Sequence, residues 1–282
     1  MKRLVLDNRG LVAISGEDAQ SLLQDVISCG VDDLPEGLAR PGALLTPQGK
    51  IMFDFLLSRD GADRFLFDLG RNQIAGFMQR MTMYRLRAKA DIAAVEDSTV
   101  QAAWGEQGKD GCLADGRFPL EAYAYRLYGE RQAETALIED YKRLRVEHGV
   151  VESEADFELS DVFPHDVLMD LNGGVSFKKG CFVGQEVVSR MQHRGTARRR
   201  VVILTAKDPI PSEHRELIAG GRTVGTVGTV AGESALAIAR VDRIETAQAN
   251  QQPLLIGETA VIASLPDWTG LSLSAAEASQ KG

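Results

Sequence analysis

The chain has 282 residues and a formal net charge of −8, with 44% hydrophobic and 26% charged residues. That size accommodates two domains, or one large domain with a satellite. The acidic balance argues against nucleic-acid binding over the whole surface, because net negative charge repels phosphate.

Leu11-Val12-Ala13-Ile14 reads as a short strand, after which Ser15 can cap a helix over about Glu17 to Ser28. In that helix Ala19, Leu22, Leu23, Val26 and Ile27 recur at helical spacing. Thr46-Pro47-Gln48-Gly49 suits a type I turn, with Pro second and Gly fourth. Ile51 to Leu57 and Arg64 to Leu69 flank Asp60-Gly61 as the arms of a hairpin. Ile74, Phe77, Met78 and Met81 form the stripe of a second helix, and alternation resumes near residues 88–95, 100–104 and 122–127. A third helix is expected from about Ala133 to His148, with Leu137, Tyr141 and Leu144 inward and Gly149 as its stop. This rhythm points to an α+β fold, antiparallel sheets with packed helices, and not to a doubly wound parallel sheet.

After Arg200, short apolar runs at Val201 to Leu204, Glu216 to Ala219, Thr223 to Val230, Ala235 to Val241 and Thr259 to Ala263 alternate with glycine turns. They indicate a small β-barrel or sandwich. The expected division is a domain of two interleaved sub-domains over 1–197, a barrel over 198–270, and a frayed or helical tail over 271–282.

Cys29, Cys112 and Cys181 are far apart, so neither a zinc site nor a disulfide framework is expected, and a reducing compartment fits. Met1 to Asp7 holds no long apolar core, so no secretory leader is expected, and no apolar run approaches the length of a membrane helix. The expectation is a cytoplasmic, bacterial protein with no membrane partner. No Gly-x-Gly-x-x-Gly or P-loop pattern is present.

Lys178 to Arg200 holds seven Lys/Arg residues and one acid, a local net of +6. Within it, Cys181 stands between Gly180 and Gly184 and beside Lys178 and Lys179. Cations lower a thiol pKa, and glycines let the backbone bend or a ligand approach. A buried structural cysteine is the plainer alternative. Gln185 and Glu186 could read the edge of a flat heterocycle or simply open a helix, where the dipole favours Glu186. Arg143 to Gly149 alone is the charged end of a helix. Arg190 to Arg200 is either an anion-docking strip or a solvated linker, and it lacks the aromatic residues that stack on single-stranded bases.

Lys179-Gly180-Cys181-Phe182-Val183-Gly184-Gln185-Glu186 is similar to the signature of the YgfZ family of folate-binding proteins. That family is related to the glycine-cleavage T-protein, an aminomethyltransferase, and to mitochondrial iron–sulfur cluster assembly factors. The likeness extends to Gly173-Gly174-Val175-Ser176-Phe177, Leu45 to Lys50, Gly16 to Ala19 and Gly225 to Ala239. It implies tetrahydrofolate in a central channel, with Glu147 on the pterin's amino-pyrimidine edge. Lys179 and Arg145 would be cations near the folate carboxylates, with Gln185 and Glu186 also at the folate. Cys181 would be the functional thiol, served by Lys179. The implied function is an accessory role in iron–sulfur cluster assembly or repair, indirectly sustaining tRNA thiolation. The implied partners are assembly or client proteins, with the chain a monomer and no direct nucleic-acid contact. An aminomethyl- or methyltransferase with Asp54 as its acid is the alternative. Where the T-protein carries paired acids, Ile51-Met52-Phe53-Asp54 retains one.

Overall fold

In the computed structural model, residues 1–109, 111–195 and 197–273 are described. The elements run β1 (Lys2–Val5), β2 (Arg9–Ser15), α1 (Ala19–Val26), β3 (Leu38–Leu45), β4 (Ile51–Arg59), β5 (Arg64–Gly70), α2 (Ile74–Arg85), β6 (Asp91–Val95), β7 (Thr99–Trp104), β8 (Leu113–Asp115) and β9 (Tyr125–Gly129). Then follow α3 (Ile138–His148), α4 (Gln185–Arg194), β10 (Arg199–Thr205), β11 (Glu216–Ala219), β12 (Arg222–Ala231), β13 (Ser234–Arg240), α5 (Val241–Ala249), β14 (Leu254–Ile256) and β15 (Thr259–Ser264).

Two compact units emerge. The first comprises Met1–Ile138, Leu159–Pro164 and Met169–His193; the second comprises Glu139–Glu158, His165–Leu168 and Arg194–Gly282. In this grouping Glu139–Glu158 lies with the barrel. The expected tail lies outside the described residues from 274 onward.

The first unit is built on a nine-stranded sheet in the order β1-β7-β9-β8-β3-β4-β5-β2-β6. Among the described residues of this sheet, only the short β3–β8 pairing is parallel. Asp60-Gly61 turns the β4–β5 hairpin, with Gly61 at φ +104 where a side chain would be strained. Leu22, Leu23 and Val26 of α1 and Phe77 and Met81 of α2 pack with Val12, Ile14, Leu44 and Phe65 in one apolar core. Phe55 meets Phe67 edge-on, ring centroids 4.8 Å apart, a geometry the ring quadrupoles favour.

A buried charge network crosses this sheet. Arg9 and Arg126 both donate to Asp68, the latter over 3.0 Å, while Asp115 takes Arg117 at 2.8 Å and Arg126 at 3.4 Å. Burial resists ionisation of Asp115, but the two arginines outweigh it and hold its carboxyl below the usual range. Local sequence did not mark this network, because Arg9, Asp68 and Arg126 come from distant strands.

In the second unit, β10-β13-β12-β11-β14-β15 close into a six-stranded barrel. Full pairing leaves no open sheet edge. Val202, Leu204, Leu217, Val227, Ala237 and Ile256 fill its core with Ile244 of α5. Three features differ from expectation. Helix α3 starts at Ile138, and Leu137, expected inward, is 70% exposed. Helix α5 follows β13 directly, with no glycine or proline between them. The short strands β1, β8 and β14 owe their state to pairing with neighbours and not to their own pattern.

Candidate functional site

Cys181 is exposed on the loop between Gly173 and α4. That loop docks on the first unit through the segment that follows α1. Ser28 is its anchor: its Oγ donates to the carbonyl of Gly174 at 2.6 Å and accepts from the amide of Ala43 at 2.8 Å. The amide of Ser176 in turn donates to the carbonyl of Ser28 at 2.9 Å. Ser28 is fully buried, so these bonds replace water that is absent there.

Lys179 makes the second tie. Its Nζ donates to the carbonyl of Ile27 at 2.6 Å and to that of Cys29 at 2.9 Å. Those carbonyls lie just beyond α1, where a helix exposes its negative end. The ammonium also lies 5.2 Å from the centre of the Phe182 ring. Burial pushes the Lys179 pKa down to about 8, against Cys29, Asp25, Asp32 and Asp33, which favour its charge. Cys29 is the converse: burial raises its thiol to about 11 despite Lys179 and Arg40. Neither Ser28 nor the Ile27 carbonyl was among the sequence-predicted site residues. The one available signal was the spacing of Ser28 from the end of the α1 stripe, too weak to separate it from an ordinary cap.

The third tie brings together two motifs that lie far apart in the chain. Gly184 has φ +79, and a Cβ there would stand 2.6 Å from the carbonyl oxygen of Thr46 and 3.0 Å from the Cβ of Leu45. Gly49, at φ +82, would likewise meet Val187 of α4 at 3.0 Å. The expected turn is present, with the Gly49 amide donating to the Thr46 carbonyl at 2.8 Å. The glycines are therefore required by contact between the Thr46–Gly49 turn and the start of α4.

Gln185 opens α4 and donates from Nε2 to the carbonyl of Gly180 at 3.3 Å, which closes the loop on itself. Glu186 is exposed and lies 3.8 Å from Arg190, an i,i+4 pair worth a few tenths of a kcal/mol. Both thus serve the opening turn of the helix. Asp54 is half-buried in β4, in register with Ala43 of β3.

Glu147 is exposed on α3 in the second unit. Arg145, two residues earlier, is only 3% exposed. It donates to Asp156 at 2.7 Å, Thr229 at 2.8 Å and the carbonyl of Val150 at 3.2 Å, with Glu152 at 3.6 Å. Burial disfavours its charge, yet Glu152 and Asp156 prevail and raise its pKa. The expectation of Arg145 as a cation for folate carboxylates is corrected accordingly: it pins α3 to the barrel. That role also explains why residues 139–158 belong to the second unit. Trp268 adds to it, donating from Nε1 to the carbonyl of His148 at 2.8 Å.

Of the residues assigned to tetrahydrofolate by resemblance, Glu147 has a carboxylate suited to a donor-rich pterin edge. The carboxylate end of the ligand is less well served, since two of three Lys179 donors are committed and Arg145 is enclosed. In the Arg190 to Arg200 strip, Arg200 donates to the carbonyl of His165 at 2.7 Å and Arg199 lies 3.9 Å from Asp166. Among the described residues, no cluster of three or more His, Cys, Asp or Glu side chains is placed to hold a metal ion. None of their helices is long and apolar enough to cross a membrane.

Residues 198–271 match the model of the CAF17 C-terminal beta-barrel domain. The chain is 28% identical over 231 residues to the mitochondrial iron-sulfur cluster assembly factor IBA57 homolog of Pyricularia oryzae, covering 74% of this chain and 59% of that protein. It is 27% identical to the protein of the same name from Coccidioides immitis, covering 73% and 58%. The chain thus spans under two thirds of the length of these fungal relatives. Against mitochondrial IBA57 of Mus musculus it is 25% identical, covering 93% of this chain and 84% of the mouse protein. Among solved structures it is similar to glycine cleavage system aminomethyltransferase T from Bartonella henselae. There the TM-score is 0.68 at 15% identity, covering 94% of this chain and 85% of that one. The fold is therefore that of the aminomethyltransferase, with a closed C-terminal barrel, and the chain is related to iron–sulfur cluster assembly factors.

These relatives overturn the cytoplasmic expectation, since all three are named as mitochondrial. The physical reason is that unpaired cysteines mark any reducing compartment and do not single out the cytoplasm.

Proposed function

We propose that the protein is an accessory factor in iron–sulfur cluster assembly or repair, of the YgfZ type, with Cys181 as its working thiol. The observation that carries this reading is the exposure of Cys181 on a loop tied down at Ser28, Lys179 and Gly184. A thiol that is both presented and positioned suits reaction with a partner, whereas a packing cysteine is buried. The likeness to proteins named as iron-sulfur cluster assembly factors supports the same reading. One thiol supplies one ligand, so contact with a cluster or sulfur would be transient and shared with a client protein.

Tetrahydrofolate is the proposed small ligand, with the Glu147 carboxylate gripping the pterin edge. When bound, it supplies a carrier of one-carbon units. Lys179 and Gln185 tie down the Cys181 loop. Support for tRNA thiolation would follow indirectly, through iron–sulfur enzymes that depend on the factor.

The test is replacement of the native copy by Cys181→Ser in cells, with activity of iron–sulfur enzymes as the readout. Loss of that activity at unchanged protein level is expected. Activity equal to wild type would remove the thiol from the function.

A further inference from the structure

Residues 71–90 contain five Lys/Arg and no acid, in a chain with 40 acids and a net charge of −8. Most of this segment is α2. One face of the helix packs into the core through Phe77 and Met81. The opposite face is an exposed stripe through Ala75, Gln79 and Met83, continuing to Leu86 at the helix end. Met83 is 61% exposed and Leu86 is 87% exposed. Thr82, beside the stripe, turns its hydroxyl onto the carbonyl of Met78 at 2.8 Å, which satisfies its polar group internally. At 1.5 Å per residue the stripe runs about 16 Å, three helical turns.

Helix α2 itself carries basic residues and no acid. Arg80 flanks it and Arg87 closes its end, and neither has an ion pair among the described residues. The nearby acids Glu17 and Asp18 are committed to Lys89, through its Nζ at 2.8 Å and its amide at 2.7 Å. Leu86 sits at φ +46, a backbone state uncommon for a branched apolar residue, and it projects into solvent where no packing within the chain rewards it.

We propose that the outer stripe of α2, with Arg80 and Arg87, docks an acidic amphipathic helix of a partner protein. Apolar residues at i, i+4, i+7 and i+11 of such a helix match a three-turn stripe, and acids on its flank match the two arginines. A short acidic segment touches only the basic patch, whereas a nucleic acid or anionic membrane would also meet the acidic remainder of the chain. The absence of an exposed aromatic ring on the stripe also disfavours base stacking. None of its residues belongs to the Cys181 loop.

The test places a photo-crosslinker by Gln79→p-benzoylphenylalanine in the full chain, expressed in the cells that make it. The adduct is isolated and the attached peptide sequenced by mass spectrometry. The expected result is one protein adduct at an acidic amphipathic helix, reduced at least tenfold by Leu86→Asp and by Arg87→Glu. Cys181→Ser should leave its yield unchanged. A synthetic peptide of the captured segment should then bind the purified chain, with Kd weakened at least tenfold by Arg87→Glu. Met83→Lys serves as a second interrupting variant, and melting temperatures confirm that each variant folds. Adducts to RNA, lipid or a second copy of this chain, to a segment without acids, or none at all would overturn the proposal. An adduct unaffected by all three variants would do the same.

Discussion

The ammonium of Lys179 lies 2.6 Å from the carbonyl oxygen of Ile27, so the residue two before Cys181 closes the C-terminal end of α1. A helix end offers carbonyls without partners, and a cation there gains both a hydrogen bond and the dipole. The loop bearing the exposed thiol is therefore held by the same helix that helps to fill the core of the first unit.

Lys179 should titrate near 8, as read from the Nζ resonance of lysine-labelled protein. Its folded pKa is lowered by burial, while an unfolded lysine titrates near 10.4. Between about 8 and 10 the unfolded chain binds more protons, so the Lys179 contribution to stability rises with pH across that window. Below about 8 its burial cost is fully present. In Lys179→Met this slope should vanish; a resonance with its midpoint above 10 would contradict the buried tie.

Cys181 should react rapidly with a water-soluble thiol reagent in the native protein, and Cys29 only after denaturation. The first is exposed and the second fully buried, with burial raising its thiol to about 11. Peptide mapping after brief alkylation at neutral pH distinguishes them. Labelling of Cys29 at the rate of Cys181 would show the loop detached from α1.

Gly184→Ala should destabilise the protein by roughly 2 kcal/mol or more, combining a strained positive φ with a clash against the Thr46 carbonyl. Gly37→Ala is the control: φ is +74 there, but nothing lies within 4 Å of the new Cβ. It should cost only about 1 kcal/mol. Urea unfolding of the two variants measures the difference, and equal losses would mean that the turn and the loop do not meet.

Arg145→Ala should cost about 3–5 kcal/mol, because it leaves the buried Asp156 and the half-buried Glu152 without their cation. Arg145→Lys should recover only part, lacking the fork that reaches Asp156 and Thr229 together. Denaturant midpoints provide the readout. A loss below 1 kcal/mol would show that the guanidinium is not the pin between α3 and the barrel.

Glu147→Gln should leave unfolding unchanged within about 0.5 kcal/mol, since an exposed side chain carries little stability. Under the proposed folate role it should weaken tetrahydrofolate binding about 10- to 100-fold, the worth of a charged bidentate contact. Titration calorimetry tests both variant and parent. Equal affinity would remove Glu147 from the ligand.

Much of the framework was legible locally. Asp60-Gly61 named its hairpin, Thr46 to Gly49 its turn, and Gly149 its helix stop at φ +69, because each depends on backbone preferences of adjacent residues. Helix α5 and the strands β1, β8 and β14 were not, since short elements take their state from pairing partners that local periodicity does not reveal. The site divided in the same way. Lys179 to Glu186 was visible as an unusual run, whereas Ser28 looked like any serine after a helix.

By itself the sequence determined an α+β chain with a C-terminal barrel and marked Cys181 as the residue most worth pursuing. Tertiary structure decided what the charged neighbours do. Arg145 and Glu147 stand two residues apart, yet one is enclosed with Asp156 and the other faces solvent. Lys179, read as a cation for a thiol or a ligand, is committed to the end of α1. Burial and long-range partners set those roles, and neither is a property of the residues adjacent in sequence.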